Sequence, residues 1–169
     1  SLSRNISRGE STKGFKVSMQ VYISGALTRV TNLEELRGFY ESLGMICQKH
    51  GASPYIPHQY TDPEKNPDVS PTEVYSTDRS AIKASSLLVA YVGSPSTGVG
   101  QEIEIAYQIG IPVVLLFEKG KEPSRMVRGN PSVVEKIIFD NYEDGVIKFS
   151  EWFSRSIQFI QSYQLKKEI

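Results

Sequence analysis

The sequence predicts an α/β fold built on a five-stranded parallel, doubly wound sheet of strand order 2-1-3-4-5, with helices on both faces. Short runs rich in apolar and β-branched residues alternate along the chain with longer segments whose apolar residues recur every three or four positions. The length of 169 residues fits one domain of ordinary size. We therefore expect a flavodoxin-like or Rossmann-like domain over residues 17–165, preceded by a flexible polar tail at 1–16.

Each element follows from a local pattern. Strands are predicted at residues 19–24, 53–60, 87–92, 112–117 and 136–139. Helices are predicted at residues 32–50, 71–85, 101–109 and from 143 or 144 to about 163. Gly51 is placed to cap the first of these helices. The connections at 61–70 and 119–131 are polar and contain proline, and loops of this length in small domains are often functional.

The composition excludes several classes of function. Nineteen basic residues balance nineteen acidic ones, so the chain lacks the basic surface of a general nucleic-acid binder. The single cysteine, Cys47, excludes an intrachain disulfide and a cysteine-rich zinc site. The longest apolar run, Ile111–Phe117, is far shorter than the ~20 residues that span a bilayer. We expect a cytoplasmic protein, with the nucleus as an alternative, that uses no metal or cofactor and binds neither nucleic acid polymers nor membranes.

The predicted strand order also predicts where a ligand binds. In such sheets the site lies where the strand order reverses, here at the loops that follow Ser24 and Val92. The second loop, residues 93–100, contains glycines and hydroxyls and leads into a helix, so it could hold an anion. It is neither a Walker motif, because no lysine follows, nor a dinucleotide fingerprint, which belongs after strand 1. A plain strand-to-helix turn is the alternative interpretation.

Glu102 is the most suggestive carboxylate of this region. It falls in the first turn of the predicted helix 101–109, where the helix dipole would keep it ionised. Glu104 would face the other way. Taken one by one, these residues have plain interpretations: a first-turn glutamate is common, Asp78 fits a solvated helix position, and Tyr22 fits a core tyrosine. Residue types alone therefore leave catalysis open.

Several short segments are more informative as a set than one by one. They are Tyr22–Gly25, Asp78, Leu88–Ala90, Pro95–Glu102, Val114–Phe117 and Ser124–Gly129. This set, spread over residues 19–142, resembles the nucleoside 2-deoxyribosyltransferase-like superfamily, and most of all its 2′-deoxynucleoside 5′-phosphate N-hydrolase branch. The most specific part is the pattern P-S-x-G-V-G-x-E, with Asp78 at the separation that the family pattern requires.

The resemblance implies a role for each matched residue. Glu102 would be the nucleophile that attacks C1′ of the sugar, Asp78 would hold the sugar hydroxyls or assist proton transfer, and Tyr22 would orient Glu102. The implied sugar- and phosphate-binding residues are Gly25, Ala26, Thr28, Ser96, Gly98 and Ser124. In the family, the serine at position 124 reaches the phosphate of a neighbouring subunit, so a homodimer with shared sites is implied.

The implied activity is hydrolysis of the N-glycosidic bond of (deoxy)nucleoside 5′-monophosphates, through a covalent glycosyl-Glu intermediate and without a cofactor. The chain departs from the family at Ala26-Leu27-Thr28, where the phosphate hydrolases carry a serine and an arginine. The base, the choice between ribose and deoxyribose, and the need for a 5′-phosphate therefore stay open.

Three alternatives also remain. The first is a nucleoside 2-deoxyribosyltransferase that exchanges bases, although the chain ends at 166–169 without the C-terminal asparagine that completes the site in transferases. The second is a nucleotide-binding module without catalysis. The third is a flavin protein, which could share the fold, because fold does not fix function.

Overall fold

Five parallel strands form the centre of the molecule. The computed structural model describes residues 18–167, so the polar tail predicted at 1–16 lies outside the described residues. The strands are β1 (Gln20–Ser24), β2 (Ser53–Tyr55), β3 (Leu87–Tyr91), β4 (Val113–Glu118) and β5 (Val133–Phe139). The helices are α1 (Leu33–Lys49), α2 (His58–Thr61), α3 (Pro71–Lys83), α4 (Thr97–Ile109), α5 (Arg125–Arg128) and α6 (Tyr142–Lys167). The order β2-β1-β3-β4-β5 confirms the predicted fold class and topology.

The sheet is covered on both faces, which is why its central strands are apolar at nearly every position. All of β3 is buried, and so is β4 up to Phe117. Successive side chains of a strand point to opposite faces. In β1, Val21 and Ile23 therefore pack in the core beneath α1 and α6, whereas Tyr22 packs in the core beneath α3 and α4. This alternation places Tyr22 and Ser24 on the α3–α4 face of the sheet.

Three predicted elements differ from the structure, two of them because a proline or a serine cap overrides the apolar pattern. The strand predicted at 53–60 ends at Tyr55, and the chain turns at Pro57 into the short helix α2. A proline cannot donate the hydrogen bond that a continuing strand needs. The loop predicted at 119–131 contains the helix α5, whose N-cap Ser124 accepts a hydrogen bond from the Val127 N–H. The last strand also begins at Val133, earlier than predicted.

The start of α4 is the correction that matters most for function. The helix begins at Thr97 and not at 101, because the Ser96 hydroxyl caps it by accepting from the Val99 N–H at 3.3 Å. Gly98 and Gly100 are consequently helical residues. Glu102 lies in the second turn of α4, and the prediction that it occupies the first turn is wrong.

Within residues 18–167, no helix is both long and apolar enough to cross a bilayer. Over the same range, no three His, Cys, Asp or Glu side chains are grouped so that they could hold a metal ion. Cys47 is a free, buried thiol.

Candidate active site

A cavity of about 440 Å³ opens between α3, α4 and the loop that precedes α3. We call it the first cavity; Asp78, Glu102 and Gly98 line it, together with Arg79. The loop contributes a largely apolar wall made of Thr61, Pro63, Asn66, Pro67 and Val69. Two acidic side chains therefore face one partly apolar space of the size that a small molecule needs.

A buried ion pair fixes the loop wall of this cavity. Arg37 of α1 is buried and hydrogen-bonds to the buried carboxylate of Asp62, at the start of the loop. Burial alone would raise the pKa of Asp62, but hydrogen bonds from the Glu64 N–H and the Arg37 guanidinium hold it below its usual value. The wall thus has a fixed attachment to the body of the domain.

Both carboxylate oxygens of Glu102 are held by β1. The Tyr22 hydroxyl donates to Oε2, and the Ser24 hydroxyl donates to Oε1 at 3.2 Å. Tyr22 and Ser24 are two positions apart in a strand, so both point to the same face and reach the same acceptor. Sequence reasoning named Tyr22 but missed Ser24, although the strand alternation that places Tyr22 also places Ser24.

The environment of Glu102 differs from the one predicted. Burial raises its pKa to about 7, the negative charge of Asp78 adds to the rise, and the hydrogen bonds from Tyr22 and Ser24 oppose it. The helix dipole acts less strongly on this carboxyl than predicted, because Glu102 lies past the first turn and is half-buried.

Asp78 is not a solvated helix residue, which was its plain interpretation. It is half-buried on α3, and its Oδ1 is buried without a hydrogen-bond partner. Burial raises the pKa of Asp78 to about 6. The negative charge of Asp78 also raises the pKa of Glu102, so the two carboxyl groups of the first cavity are electrostatically linked.

Three tyrosine rings form a stack beside these carboxyl groups. Tyr22 and Tyr55 stack with ring centroids 5.4 Å apart, and Tyr55 stacks on Tyr60 at 4.7 Å with the rings nearly parallel. Burial strongly raises the pKa of Tyr22, so its hydroxyl keeps its proton. Tyr55 and Tyr60 were not predicted as site residues, and in the sequence they look like ordinary aromatic residues near a strand end.

A second cavity, of about 590 Å³, lies on the other side of the α4 N-terminus. Ser96 and Ser124 line this second cavity, along with Lys121. The predicted phosphate-binding residues are therefore divided between the two spaces, with Gly98 in the first cavity and the two serines in the second. Both serine hydroxyls cap helices by accepting backbone N–H groups.

The loop after β1 packs inward. A Cβ at Gly25 would lie 2.2 Å from the Tyr40 ring, so this close approach requires glycine. The Ala26 carbonyl accepts a hydrogen bond from the Tyr40 hydroxyl at 3.0 Å, while Thr28 is exposed. Gly25, Ala26 and Thr28 are not among the residues that line either cavity.

Known proteins with similar sequences belong to one family. No family model matches the chain. A protein of Syntrophotalea carbinolica, named "Putative 2′-deoxynucleoside 5′-phosphate N-hydrolase 1", is 31% identical over 121 residues, which cover 68% of this chain and 81% of that protein.

Two solved structures share the fold. The CMP N-glycosidase of Clostridium botulinum superposes with a TM-score of 0.61 at 23% identity, covering 79% of this chain and 98% of the other. A 2-deoxyribosyltransferase of Bacillus psychrosaccharolyticus superposes with a TM-score of 0.53 at 18% identity, covering 74% and 88%. The sequence match extends over most of both chains, and so this chain belongs to the 2′-deoxynucleoside 5′-phosphate N-hydrolase family.

Proposed function

We propose that the protein hydrolyses the N-glycosidic bond of 2′-deoxynucleoside 5′-monophosphates, releasing a free base and 2-deoxyribose 5-phosphate. The observation that carries this proposal is the pair of carboxyl groups in the first cavity, with both oxygens of Glu102 oriented by Tyr22 and Ser24. The family name of the sequence relative favours the 2′-deoxy sugar and the 5′-phosphate.

The reaction needs a nucleophile beneath C1′. Cleavage of an N-glycosidic bond passes through an oxocarbenium-like sugar, which an ionised carboxylate stabilises and captures. Glu102 forms a bond to C1′ as the bond from C1′ to the base nitrogen breaks, and the departing base takes up a proton. Water then attacks C1′, restores the Glu102 carboxylate and releases the proton that balances the first step. The product sugar keeps its configuration.

Asp78 acts on the same sugar. Its Oδ1 is buried and lacks a hydrogen-bond partner within the described residues, so it is available to accept from a sugar hydroxyl. Its negative charge also raises the pKa of Glu102, which makes that carboxylate more basic near neutral pH. Asp78 therefore contributes to substrate orientation and to the reactivity of the nucleophile.

The 5′-phosphate is assigned to the N-terminus of α4. Gly98 exposes backbone to the first cavity there, and helix N-termini favour anions. Ser96 is at the same helix end, while Ser124 lies on α5 beside Met126, which is 86% exposed. We propose that two copies of the chain pair through this region, so that Ser124 of one subunit reaches the phosphate bound by the other.

Base release from a substrate panel tests the function. The panel contains 2′-deoxynucleoside 5′-monophosphates, nucleoside 5′-monophosphates and unphosphorylated nucleosides, each incubated with the wild type and with Glu102→Ala. We expect Glu102-dependent release from the 2′-deoxy monophosphates. Release only from nucleosides, or only when an acceptor base is present, would assign the chain to base exchange. Binding without release would leave a nucleotide-binding module.

The covalent intermediate has its own test. A 2′-fluoroarabinosyl nucleotide slows the second half of the reaction, because fluorine destabilises the oxocarbenium-like sugar. Mass spectrometry of the digested protein should then locate one added sugar phosphate on the peptide that contains Glu102. Base release without any adduct, at a rate equal to that of the normal substrate, would contradict the two-step mechanism.

A further inference from the structure

Two buried polar atoms near the paired carboxyl groups have no partner. They are the Tyr55 hydroxyl oxygen and the Asp78 Oδ1, and neither makes a hydrogen bond within the described residues. Asp78 lines the first cavity, whereas Tyr55 is not one of its lining residues and stacks on Tyr22. Buried polar groups in folded proteins are nearly always paired, because an unpaired one loses its hydration without compensation. Two such atoms at one site need an explanation.

The fold brings Tyr55 close to the carboxyl pair by way of Tyr22. Tyr55 of β2 lies opposite Tyr22 of β1 in the parallel register, and their rings stack at 5.4 Å. Tyr22 in turn donates to Glu102. Burial raises the pKa of Tyr55 to about 12, and the charges of Asp78 and Glu102 contribute to the rise. The Tyr55 hydroxyl therefore stays protonated beside both carboxyl groups.

The two unpaired groups are complementary, because the Tyr55 hydroxyl can donate a hydrogen bond and the Asp78 Oδ1 can accept one. A hydroxyl group of a ligand satisfies both at once, since it accepts one hydrogen bond and donates another. The stereochemistry of a β-nucleotide indicates which hydroxyl this is. Glu102 must approach C1′ from the face opposite the base, and the 3′-hydroxyl projects from that same face. A residue on the strand next to Tyr22 is therefore on the correct side of the sugar.

We propose that Tyr55 is a substrate-binding residue that donates a hydrogen bond to the 3′-hydroxyl of the sugar, while the same hydroxyl donates to Asp78 Oδ1. This assignment rests on the proposed function, since it names a contact made by the substrate of that reaction. It also gives Tyr60 a defined part, because its ring stacks on Tyr55 at 4.7 Å and holds that ring in place.

The test compares a hydroxyl removed from the protein with one removed from the substrate. The wild type and Tyr55→Phe are assayed with the four common 2′-deoxynucleoside 5′-monophosphates and with their 2′,3′-dideoxy counterparts. Tyr55→Phe should lower kcat/KM for the 2′-deoxy substrates by about three- to tenfold, mainly through KM, as expected for loss of one neutral hydrogen bond. It should change the dideoxy substrates less than twofold, because their partner hydroxyl is already absent.

Tyr107→Phe is the matched control. Tyr107 is 43% exposed on α4 and lines neither cavity, so loss of its hydroxyl should change neither substrate series. Equal losses on both series with Tyr55→Phe would show a structural role and overturn the proposal, as would no loss on either. If the wild type releases no base at all, the proposed function fails. The same four combinations of protein and sugar are then compared by calorimetry, where the hydroxyl coupling must appear in Kd.

Discussion

The two cavities that flank the N-terminus of α4 contain different kinds of polar groups. In the first cavity, Asp78 and Glu102 are carboxyl groups whose pKa values burial has raised. In the second cavity, the Ser96 and Ser124 hydroxyls are already used as helix caps, and Glu122 pairs with Arg128 at 3.3 Å. Strongly shifted pKa values are typical of catalytic groups. The proposed chemistry is therefore expected in the first cavity, and the proposed phosphate site at the helix end shared by both.

The largest effect is expected when the proposed nucleophile of the first cavity, Glu102, is replaced. Glu102→Gln keeps the shape of the side chain but removes the nucleophile, so kcat for base release should fall more than about 10³-fold. The matched control is Glu104→Gln, two residues later on the same helix. Glu104 is exposed and accepts from Gln108 and Asn130, and its loss should change kcat less than twofold. Comparable losses in both variants would contradict a nucleophile at 102.

The second effect concerns stability. A carboxyl whose pKa is about 7 in the folded protein and 4.5 in the unfolded chain gives stability that is fully present below pH 4.5 and lost as pH rises through 7. The glutamine of Glu102→Gln cannot ionise, so the variant avoids this loss. The unfolding free energy of the variant minus that of the wild type should therefore rise by about 3 kcal/mol between pH 4.5 and pH 8. Urea unfolding at both pH values measures this gain. Parallel pH profiles would contradict the raised pKa.

Asp78→Asn should have an intermediate effect on rate, lowering kcat/KM by about 10- to 100-fold, because one orienting hydrogen bond and one charge are lost. It also removes a negative charge that raises the pKa of Glu102. The acidic limb of the pH–rate profile should therefore move to lower pH. A limb that stays in place, or moves to higher pH, would contradict the coupling between the two carboxyl groups.

The smallest effect is expected at Ser124, which lines the second cavity. Ser124→Ala should raise KM for 5′-monophosphates by about tenfold, since it removes one hydrogen bond to the charged phosphate. KM for unphosphorylated nucleosides, where the wild type accepts them, should stay the same. Mixing Ser124→Ala with Glu102→Gln subunits should restore the wild-type KM in the mixed dimer if Ser124 acts across subunits. Equal losses with and without the phosphate would place Ser124 outside phosphate binding.

Local sequence patterns predicted much of the architecture and part of the site. The alternation of strands with amphipathic helices predicted a parallel, doubly wound sheet, because parallel neighbours are joined by helical crossovers. The count of five strands then suggested the order that the structure confirms. Boundaries failed where a single residue outweighed the pattern, as at Pro57 and at the Ser96 cap of α4. Glycines at 98 and 100 favour a loop interpretation, but the cap and the packing of Val99 and Ile103 draw them into the helix.

The sequence by itself determined the sheet, its order, and the face on which Tyr22 and Ser24 lie, since these depend on neighbouring positions. Only the tertiary structure decided the chemistry of the site. Tyr22 and Glu102 are 80 positions apart, and the rings and charges that surround Tyr55 come from other elements. A pKa depends on how much water these distant segments exclude and on which charges they bring close together. Neither quantity can be read from residue types, because each arises only when the elements pack.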